Sequence, residues 1–460
     1  MNVLVVNPPN KPYSSRNLLI EPIDVLTVAT HIKNLGHNVK LVDMDIAQRE
    51  PTTIEDDLSS FNPDFTVVPY DYHIPLFTSD AIPGVNTIAR LAHTHGSKVV
   101  IGGRSPNHFP EQFLDGVEGI IIIGEMEPAL TELLSGENTK SIDGLIFKEN
   151  GTLQRTNPRK NRLDLNELPI PDRSLVDTNK YIDVRSLLSS RGCVESCGFC
   201  PVPEFWGKWK FRDANKVVDE IEYLVKDYGA QKILFLDDHA TVHQKRMQEI
   251  SREIIERGIE TTLGCLGTVS RYDHKTVEEM EKAGFRWIHY GGEMVSQHVL
   301  DYMGKRITPK QMKEAIVGTK QIGLRVRTSW IFDAPQANED DVDRTIEFIL
   351  ETQPEEIRAH YLTLRAGTPF TREVERRRQG FAAIPPQYIH NGMPHSSFDT
   401  LNSERILEKV EYLTSELKRV GYLVVRNVRD WEQFNDPTVG NQNTKILSFC
   451  PLRYGIGWQR

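Results

Sequence analysis

The sequence alternates between short apolar runs and amphipathic stretches, and it does so in two separate series along the chain. The first series occupies residues 1–140, where helical patterns such as 23–36 and 81–96 lie between the apolar runs. Short buried strands separated by amphipathic helices indicate a parallel, doubly wound sheet. We predict its strands at 2–7, 38–44, 64–70, 97–103 and 119–124.

The carboxyl ends of these predicted strands are the first place to look for a binding site, because doubly wound sheets bind ligands there. Glycines at such ends let a ligand approach the backbone closely, although ordinary turns explain a single glycine about as well. The candidate residues are Asn7 and Pro8 after the first strand, Gly102 and Gly103 after the fourth, and Gly124 and Glu125 after the fifth.

A second series of strands and longer helices begins after an interruption at residues 141–182, which contain a predicted hairpin at 148–151 and a linker with prolines. Six strand–helix units in this series indicate a closed or partly closed β/α barrel, whose chemistry belongs at the carboxyl ends of the strands. The predicted barrel strands are 184–190, 232–238, 261–267, 287–293, 325–333 and 356–363.

These patterns predict an α/β protein in four parts. The parts are an N-terminal doubly wound, Rossmann-like domain (1–140), a hairpin and linker (141–182), a partial (β/α)6 TIM-like barrel (183–372) and a mostly helical C-terminal extension (373–460).

Composition excludes several classes of protein. No run of eighteen apolar residues suggests a membrane span, and the N-terminus has the pattern of a first strand instead of a signal peptide. The net charge of −9 gives no basic footprint for nucleic acid. Five cysteines, mostly clustered, favour a reducing compartment over a disulfide framework. We therefore expect a cytoplasmic protein that binds neither membrane nor nucleic acid.

Three of the five cysteines fall within one short segment, as Cys193-x3-Cys197-x2-Cys200, just after the first predicted barrel strand. A redox pair would use Cys197 and Cys200 and leave Cys193 without a role. A zinc site needs four ligands, and only a distant residue such as His239 could complete the set. Three thiolates on one loop also suit a [4Fe–4S] cluster whose fourth iron has no protein ligand.

The three-cysteine motif, with Phe199 before its last cysteine, resembles the signature of radical S-adenosylmethionine (radical SAM) enzymes. The resemblance implies that Cys193, Cys197 and Cys200 hold a [4Fe–4S] cluster and that SAM binds the open iron. It also implies that SAM is cleaved to a 5′-deoxyadenosyl radical, which takes a hydrogen atom from a substrate, with Phe199 beside the adenine.

Charged residues at other predicted strand ends are candidates for SAM binding. Asp237 and Asp238 follow the second barrel strand, where a carboxylate could accept hydrogen bonds from the SAM ammonium group. Glu293 ends the fourth strand and is a candidate for the ribose hydroxyls or the substrate. Arg271 is a candidate for the SAM carboxylate. A solvated rim or an ion pair inside the barrel explains such residues equally simply.

A doubly wound domain before such a barrel is similar to the cobalamin-binding subclass of radical SAM enzymes. The resemblance implies cobalamin-dependent methylation of carbon in a small metabolite, with cobalamin held by the N-terminal candidate residues. Two segments depart from that subclass, at 22–25 and at 69–75. The alternatives are a cobalamin-independent radical dehydration or rearrangement, for example of an aminosugar, and, more remotely, a non-enzymatic metal-binding module.

The remaining predictions concern the substrate and the electron supply. Cys265, His239 and Tyr290 lie in or after barrel strands and are weak candidates for contact with substrate, although Cys265 has a simpler explanation as a buried apolar residue. Four acidic residues near the strand ends predict a cationic or hydroxyl-rich small molecule, namely Asp237, Asp238, Glu293 and Asp333. An electron donor such as flavodoxin or ferredoxin would reduce the cluster.

Overall fold

The computed structural model divides into two compact units, Met1–Ile182 and Asp183–Arg460. It describes residues 1–9, 20–70, 82–160, 163–360, 362, 364–365, 367–377, 403–425 and 444–448.

The first unit is built on a seven-stranded sheet in the order β2-β1-β3-β4-β5-β6-β7. The first five strands are parallel, and their order is that of a doubly wound sheet with a topological switch point between β1 and β3. The predicted doubly wound fold is confirmed. The strands are β1 (Asn2–Asn7), β2 (Asn38–Asp43), β3 (Phe65–Pro69), β4 (Lys98–Gly102), β5 (Gly119–Ile122), β6 (Leu145–Glu149) and β7 (Thr152–Arg155).

Helices cover this sheet because its central strands are apolar on both faces. All five residues of β3 are buried, as are Val3–Val6 of β1, which is typical of a parallel sheet between two helix layers. The helices are α1 (Ile23–Asn34), α2 (Ile54–Phe61), α3 (Ile82–Thr94), α4 (Arg104–His108), α5 (Pro110–Phe113) and α6 (Met126–Leu134).

The predicted hairpin is formed by β6 and β7, which pair antiparallel and continue the sheet beyond β5. Its turn residues, Asn150 and Gly151, have φ angles of 50° and 77°. A two-residue turn with positive φ at both positions has type I′ geometry, which favours Asn-Gly. The local sequence therefore accounts for this hairpin.

The second unit contains an eight-stranded parallel sheet in the order β8-β11-β12-β13-β14-β15-β17-β16. Its first six strands are those predicted for the barrel, and two further strands from the C-terminal part extend it. The strands are β8 (Arg185–Leu187), β9 (Ser190–Arg191), β10 (Lys210–Phe211), β11 (Lys232–Phe235), β12 (Thr262–Gly267), β13 (Phe285–Glu293), β14 (Arg325–Ile331), β15 (Glu356–His360), β16 (Tyr422–Val425) and β17 (Lys445–Ser448).

Helices alternate with these strands, and several begin where the sequence supplies a cap. Thr308 with Gln311, and Asn338 with Asp341, form capping boxes at the starts of two helices. The helices are α7 (Val202–Trp206), α8 (Ala214–Tyr228), α9 (Gln244–Glu256), α10 (His274–Lys282), α11 (Gln297–Tyr302), α12 (Pro309–Ile322), α13 (Glu339–Thr352), α14 (Pro369–Arg377) and α15 (Ser403–Arg419). In the part of the chain that the structure describes, every helix is too short or too polar to cross a membrane.

Alternation along the barrel strands separates two environments. Ile288 and Tyr290 of β13 lie in the hydrophobic core shared with Met280 of α10 and Ile316 of α12. Because successive side chains of a strand point to opposite faces, the intervening His289 points to the inner side of the sheet. It lies 2.7 Å from the hydroxyl of Ser329 on β14.

Candidate active site

The three-cysteine segment forms a loop at the carboxyl end of β8. The loop is closed by β9 and β10, which pair antiparallel, with Lys210 opposite Arg191. Gly192 begins it with a φ of 89°, and an added Cβ there would lie 3.3 Å from Trp206 Cβ and 3.4 Å from Trp209 Cα. The loop is therefore folded tightly over its own aromatic residues.

The cysteine thiols of this loop lie in a largely buried setting and are close enough to influence one another electrostatically. Cys197 is buried, Cys193 and Cys200 are half-buried, and neither these three nor Cys265 is joined in a disulfide. Burial, together with the charges of the neighbouring cysteines, raises the pKa of Cys193 and of Cys197 to about 12. A buried set of mutually repelling thiolates becomes favourable when metal replaces the protons. The donor set thus fits a thiolate-bound cluster.

No group of three or more His, Cys, Asp or Glu side chains within the described ranges is spaced to hold a single metal ion. The three cysteines that hold a [4Fe–4S] cluster bind separate irons, so their sulfurs stand farther apart than ligands that share one ion. The absence of a single-ion site among the described residues therefore concerns a different kind of site from the cluster that the cysteine loop fits.

Segments far along the sequence hold the cysteine loop in place. Gly198 donates its N–H to the Met303 carbonyl at 2.8 Å and accepts from the Phe370 N–H at 2.9 Å. Ser270, after β12, donates its hydroxyl to Glu195 Oε1 at 2.6 Å. The sequence did not reveal these contacts, because each joins residues 75 or more positions apart.

A buried ion pair lies beside the cysteines. Lys305 Nζ donates to Glu293 Oε1 at 2.7 Å, and each side chain is only 10% exposed. Burial acts to lower the pKa of Lys305, but the charges of Glu293, Cys197 and Cys193 outweigh it, so the pKa of Lys305 is raised. Lys305 therefore stays cationic next to two of the three thiols.

The Gly-Gly-Glu end of β13 is shaped by this ion pair. Glu293 has a φ of 64°, which is uncommon for a residue other than glycine. A Cβ on Gly291 would lie 2.4 Å from Glu293 Oε1 and 2.7 Å from Lys305 Nζ, and one on Gly292 would lie 2.7 Å from the Trp330 ring. The two glycines thus make room for the ion pair and for Trp330.

Asp237 anchors the start of the cysteine loop. It is fully buried, and its carboxylate accepts hydrogen bonds from Ser189 N at 2.7 Å, Ser189 Oγ at 2.5 Å and Ser190 Oγ at 2.6 Å. Arg246 donates to the Ser189 carbonyl at 2.8 Å. With its oxygens used in this way, Asp237 holds the loop, and the geometry does not favour the predicted contact with SAM.

Replacement of Asp237 by Asn is expected to loosen the cysteine loop. The charged carboxylate that accepts hydrogen bonds from the two serine hydroxyls becomes a neutral amide, in which one of the two oxygens is replaced by a donor. Losing such hydrogen bonds inside a protein costs about 1–3 kcal/mol. Less iron should then remain on the protein after anaerobic reconstitution and desalting. Asp238→Asn is the matched control, because the Asp238 carboxylate also accepts a hydrogen bond from the loop, in this case from Gly192 N at 3.1 Å. Equal iron retention by both variants would contradict the anchoring role.

The remaining SAM-binding candidates have different surroundings. Asp238 is half-buried beside Gly192 and its charge acts on Cys193. Phe199 is half-buried within the loop, whereas Arg271 is exposed.

His239 Nδ1 lies 3.1 Å from the Gly267 carbonyl, so that nitrogen carries the proton. Burial, followed by the charge of Lys305, lowers the pKa of His239 to about 4. His239 is therefore a neutral imidazole near the ion pair.

Two predicted substrate contacts need correction. Cys265 is fully buried in the helix-side core, and Tyr290 lies in the same core with its hydroxyl 3.0 Å from Thr319 Oγ1 of α12. Both side chains have the outward parity of their strands and point away from the inner side of the barrel. They therefore help to pack the helix layer. For Cys265 this matches its simpler explanation as a buried apolar residue.

The N-terminal candidates lie at the carboxyl edge of the first unit's sheet. Asn7 Nδ2 donates to Asp43 Oδ1 at 2.8 Å, and Pro8 is buried. A Cβ on Gly102 would lie 2.4 Å from Met126 Sδ, so this glycine serves helix packing. Gly103 and Gly124 have φ angles of 135° and 77°.

Gly124 and Glu125 also lie at this edge. Among the described residues, no atom lies within 4 Å of the Cβ position of Gly124, and Glu125 Oε2 accepts weakly from Leu163 N at 3.4 Å. The atypical segment 69–75 lies outside the described residues from position 71 onward, as does Cys450.

Comparisons with known proteins are consistent with this geometry. Residues 187–349 match the family model of the radical SAM superfamily. An uncharacterized methyltransferase of Pyrococcus horikoshii is 28% identical over 76% of this chain and 77% of its own length. Hopanoid C-3 methylase of Methylococcus capsulatus is 24% identical over 72% of this chain and 65% of its own.

Two solved structures share the fold. The radical SAM methyltransferase TsrM of Kitasatospora setae, with cobalamin and a [4Fe–4S] cluster bound, superposes with a TM-score of 0.69 at 17% identity, over 89% of this chain and 90% of that one. The cobalamin-dependent radical enzyme OxsB, with aqua-cobalamin and SAM bound, gives 0.73 at 16% identity, over 91% and 67% of the two chains.

Proposed function

From the premise that this chain contains a radical SAM domain at residues 187–349, we propose that the protein is a cobalamin-dependent methyltransferase that acts on a carbon atom of a small molecule. The domain makes it a radical SAM enzyme with a [4Fe–4S] cluster and SAM as cofactors, as the three-cysteine motif predicted. The combination of this domain with a doubly wound unit of order β2-β1-β3-β4-β5 carries the proposal.

The residues of the second unit have distinct roles in this proposal. Cys193, Cys197 and Cys200 would hold the cluster, which when bound supplies the electron that cleaves SAM to methionine and a 5′-deoxyadenosyl radical. Asp238 would accept hydrogen bonds from the SAM ammonium group. Phe199 would pack on the adenine. The buried surroundings of the loop would keep water from the reacting atoms.

Glu293, Arg271 and His239 complete the proposed site. Glu293 is fixed by Lys305 and would bind the ribose hydroxyls, whereas Arg271, on the exposed rim, would bind the SAM carboxylate. His239 carries its proton on Nδ1 and would present Nε2 as an acceptor. An electron donor of the flavodoxin or ferredoxin class would reduce the cluster.

Support for cobalamin comes from the first unit and from relatives. Doubly wound sheets bind ligands at their carboxyl edge. Gly103 and Gly124 bring backbone to that edge, and no described side chain lies within 4 Å of the Gly124 Cβ position. These features fit a large ligand held against the backbone. Methylation is supported by the names of the Pyrococcus and Methylococcus relatives and of bacteriochlorophyllide d C-12(1)-methyltransferase of Chlorobaculum tepidum, which is 23% identical over 81% of this chain.

Cobalt and iron content after anaerobic reconstitution tests the proposal. The full chain is offered iron, sulfide and hydroxocobalamin, desalted, and measured by elemental analysis and absorption. We expect about four irons per chain for a [4Fe–4S] cluster, with one cobalt. Iron without cobalt would overturn the cobalamin proposal and favour the cobalamin-independent dehydration or rearrangement.

Two glycine variants localise the cobalamin. Gly124→Val fills the open space at the carboxyl edge and is expected to lower cobalt content without lowering iron. Gly136→Val is the matched control, because Gly136 also has a positive φ, of 90°, and open space, but lies beyond the far end of α6. Both changes cost similar backbone strain. Equal cobalt content in the two variants would exclude this edge as the binding site.

A further inference from the structure

Cationic and imidazole side chains from three neighbouring strands gather on the inner side of the barrel. His289 of β13 pairs in register with Arg327 of β14, and Ser329 of β14 pairs with Arg358 of β15. His360 ends β15 on the same face as Arg358, two residues earlier. None of these residues was singled out from the sequence, because they are scattered over 72 positions.

These side chains share the inner face of the sheet. His289, Arg358 and His360 are half-buried, whereas Ile357 and Ala359, on either side of Arg358, belong to the helix-side core. Burial lowers the pKa of His360 to about 4, with Arg358 as the next cause, and lowers the pKa of His289 well below its usual value. Both imidazoles are therefore neutral near pH 7, and the positive charge in this space belongs to the arginines.

The acidic residue in contact with these arginines does not balance them. Arg327 Nη2 lies 2.7 Å from Glu356 Oε2, a close ion pair. Arg358 Nε lies 3.5 Å from Glu356 Oε1, a contact without hydrogen-bond geometry. Arg358 Nη2 is also buried, and it has no hydrogen-bond partner among the described residues. Among the described residues, Arg327 and Arg358 thus both lie against the Glu356 carboxylate, and Nε and Nη2 of Arg358 have no hydrogen-bond acceptor.

The position of Arg358 in β15 places its guanidinium charge near the strand ends that carry the proposed site. Arg358 lies two residues, or about 7 Å, before the carboxyl end of β15. The carboxyl ends of the strands also carry the cysteine loop after β8 and Glu293 at the end of β13. A substrate above the strand ends could therefore extend a polar group toward Arg358, as ligands of β/α barrels approach from that face.

We propose that the substrate carries an anionic group, a carboxylate or a phosphate, that binds to the guanidinium fork of Arg358 inside the barrel, with His360 beside it. The proposal rests on the proposed function and defines its substrate class. A planar guanidinium with unused donors matches the paired oxygens of such anions. The proposal of an anionic group replaces our expectation of a cationic substrate, which depended on acidic residues near the strand ends.

Those acidic residues are already engaged. Asp237 accepts from Ser189 and Ser190, and Glu293 is paired with Lys305. Asp333 is buried and accepts from Leu362 N at 2.5 Å, and burial raises its pKa to about 6. Of the four carboxylates behind the expectation of a cationic substrate, only Asp238 is half-buried. Its charge is one of the causes that raise the pKa of Cys193.

Thermal unfolding of the full, anaerobically reconstituted chain tests the proposal without any turnover. The added probes are acetate, inorganic phosphate and the neutral analogue acetamide, at constant ionic strength. A ligand that binds only the folded state raises the melting temperature, by about 1.5 °C for a chain of this size at ten times its Kd. We expect acetate or phosphate to raise it and acetamide to leave it unchanged, and the more effective anion identifies the group.

Variants assign the effect to Arg358. Arg358→Gln should lose the anion response, whereas the control Arg286→Gln should keep it, because Arg286 is 51% exposed. If Arg358→Gln does not unfold cooperatively, Arg358→Lys replaces it, and a response of more than half the wild-type shift would overturn the proposal. An equal response in wild type and Arg358→Gln, or none in wild type, would also overturn it. Because the assay requires no methyl transfer, its failure is distinct from failure of the proposed reaction.

Discussion

Replacement of Cys197 by Ala is expected to abolish both cluster binding and SAM cleavage. Two thiolates would remain on the loop, and the lost ligand is the buried one of the three. A [4Fe–4S] cluster that already leaves one iron without a protein ligand would then have two such irons. Anaerobic reconstitution should give little iron and no broad absorption near 400 nm, and incubation with SAM and dithionite should give no 5′-deoxyadenosine above a protein-free blank.

Cys265→Ala provides the matched control for this loss. Cys265 is also a buried thiol of the same unit, but it lies in the core between β12 and the helices. Its replacement removes one sulfur atom from the core, with a cost in stability of about 1 kcal/mol. This variant should keep its iron and its 5′-deoxyadenosine production. Retained SAM cleavage in Cys197→Ala would refute the iron–sulfur site, and equal losses in both variants would point to general misfolding.

Replacement of Lys305 by Met is expected to destabilise the second unit strongly. Glu293 would then keep a buried negative charge without its partner, and removing one member of a buried ion pair costs about 3–5 kcal/mol. The double variant Lys305→Met/Glu293→Gln should recover most of that loss, because it leaves no buried charge. Such a difference between single and double variants measures the coupling of the two side chains.

Tryptophan fluorescence during urea unfolding reports on this unit alone, since all six tryptophans lie between residues 206 and 458. The midpoint should fall sharply in Lys305→Met and return in the double variant. Lys310→Met is the control for a lost lysine, because Lys310 is 85% exposed. Additive effects of the Lys305 and Glu293 changes would contradict the buried ion pair.

Much of the fold was predictable because strands and helices leave local patterns. The runs at 2–7 and 232–238 are apolar and bounded by turn residues, and the structure has β1 and β11 there. The hairpin at Asn150-Gly151 follows from the preference of that pair for a type I′ turn. The short strands β16 and β17 were not predicted, because four residues carry too little periodicity to distinguish a strand from the end of a helix.

The sequence by itself determined the barrel order and the three-cysteine loop, since both depend on spacing between near neighbours in the chain. The tertiary structure alone decided which side chains reach the site. Cys265 and Tyr290 point to the helix layer because a shift of one residue reverses the face of a strand. Lys305 meets Glu293, and Arg358 shares Glu356 with Arg327, through contacts that only folding brings together. A lone charged residue carries no local signal of its partner, so its role is settled by long-range packing.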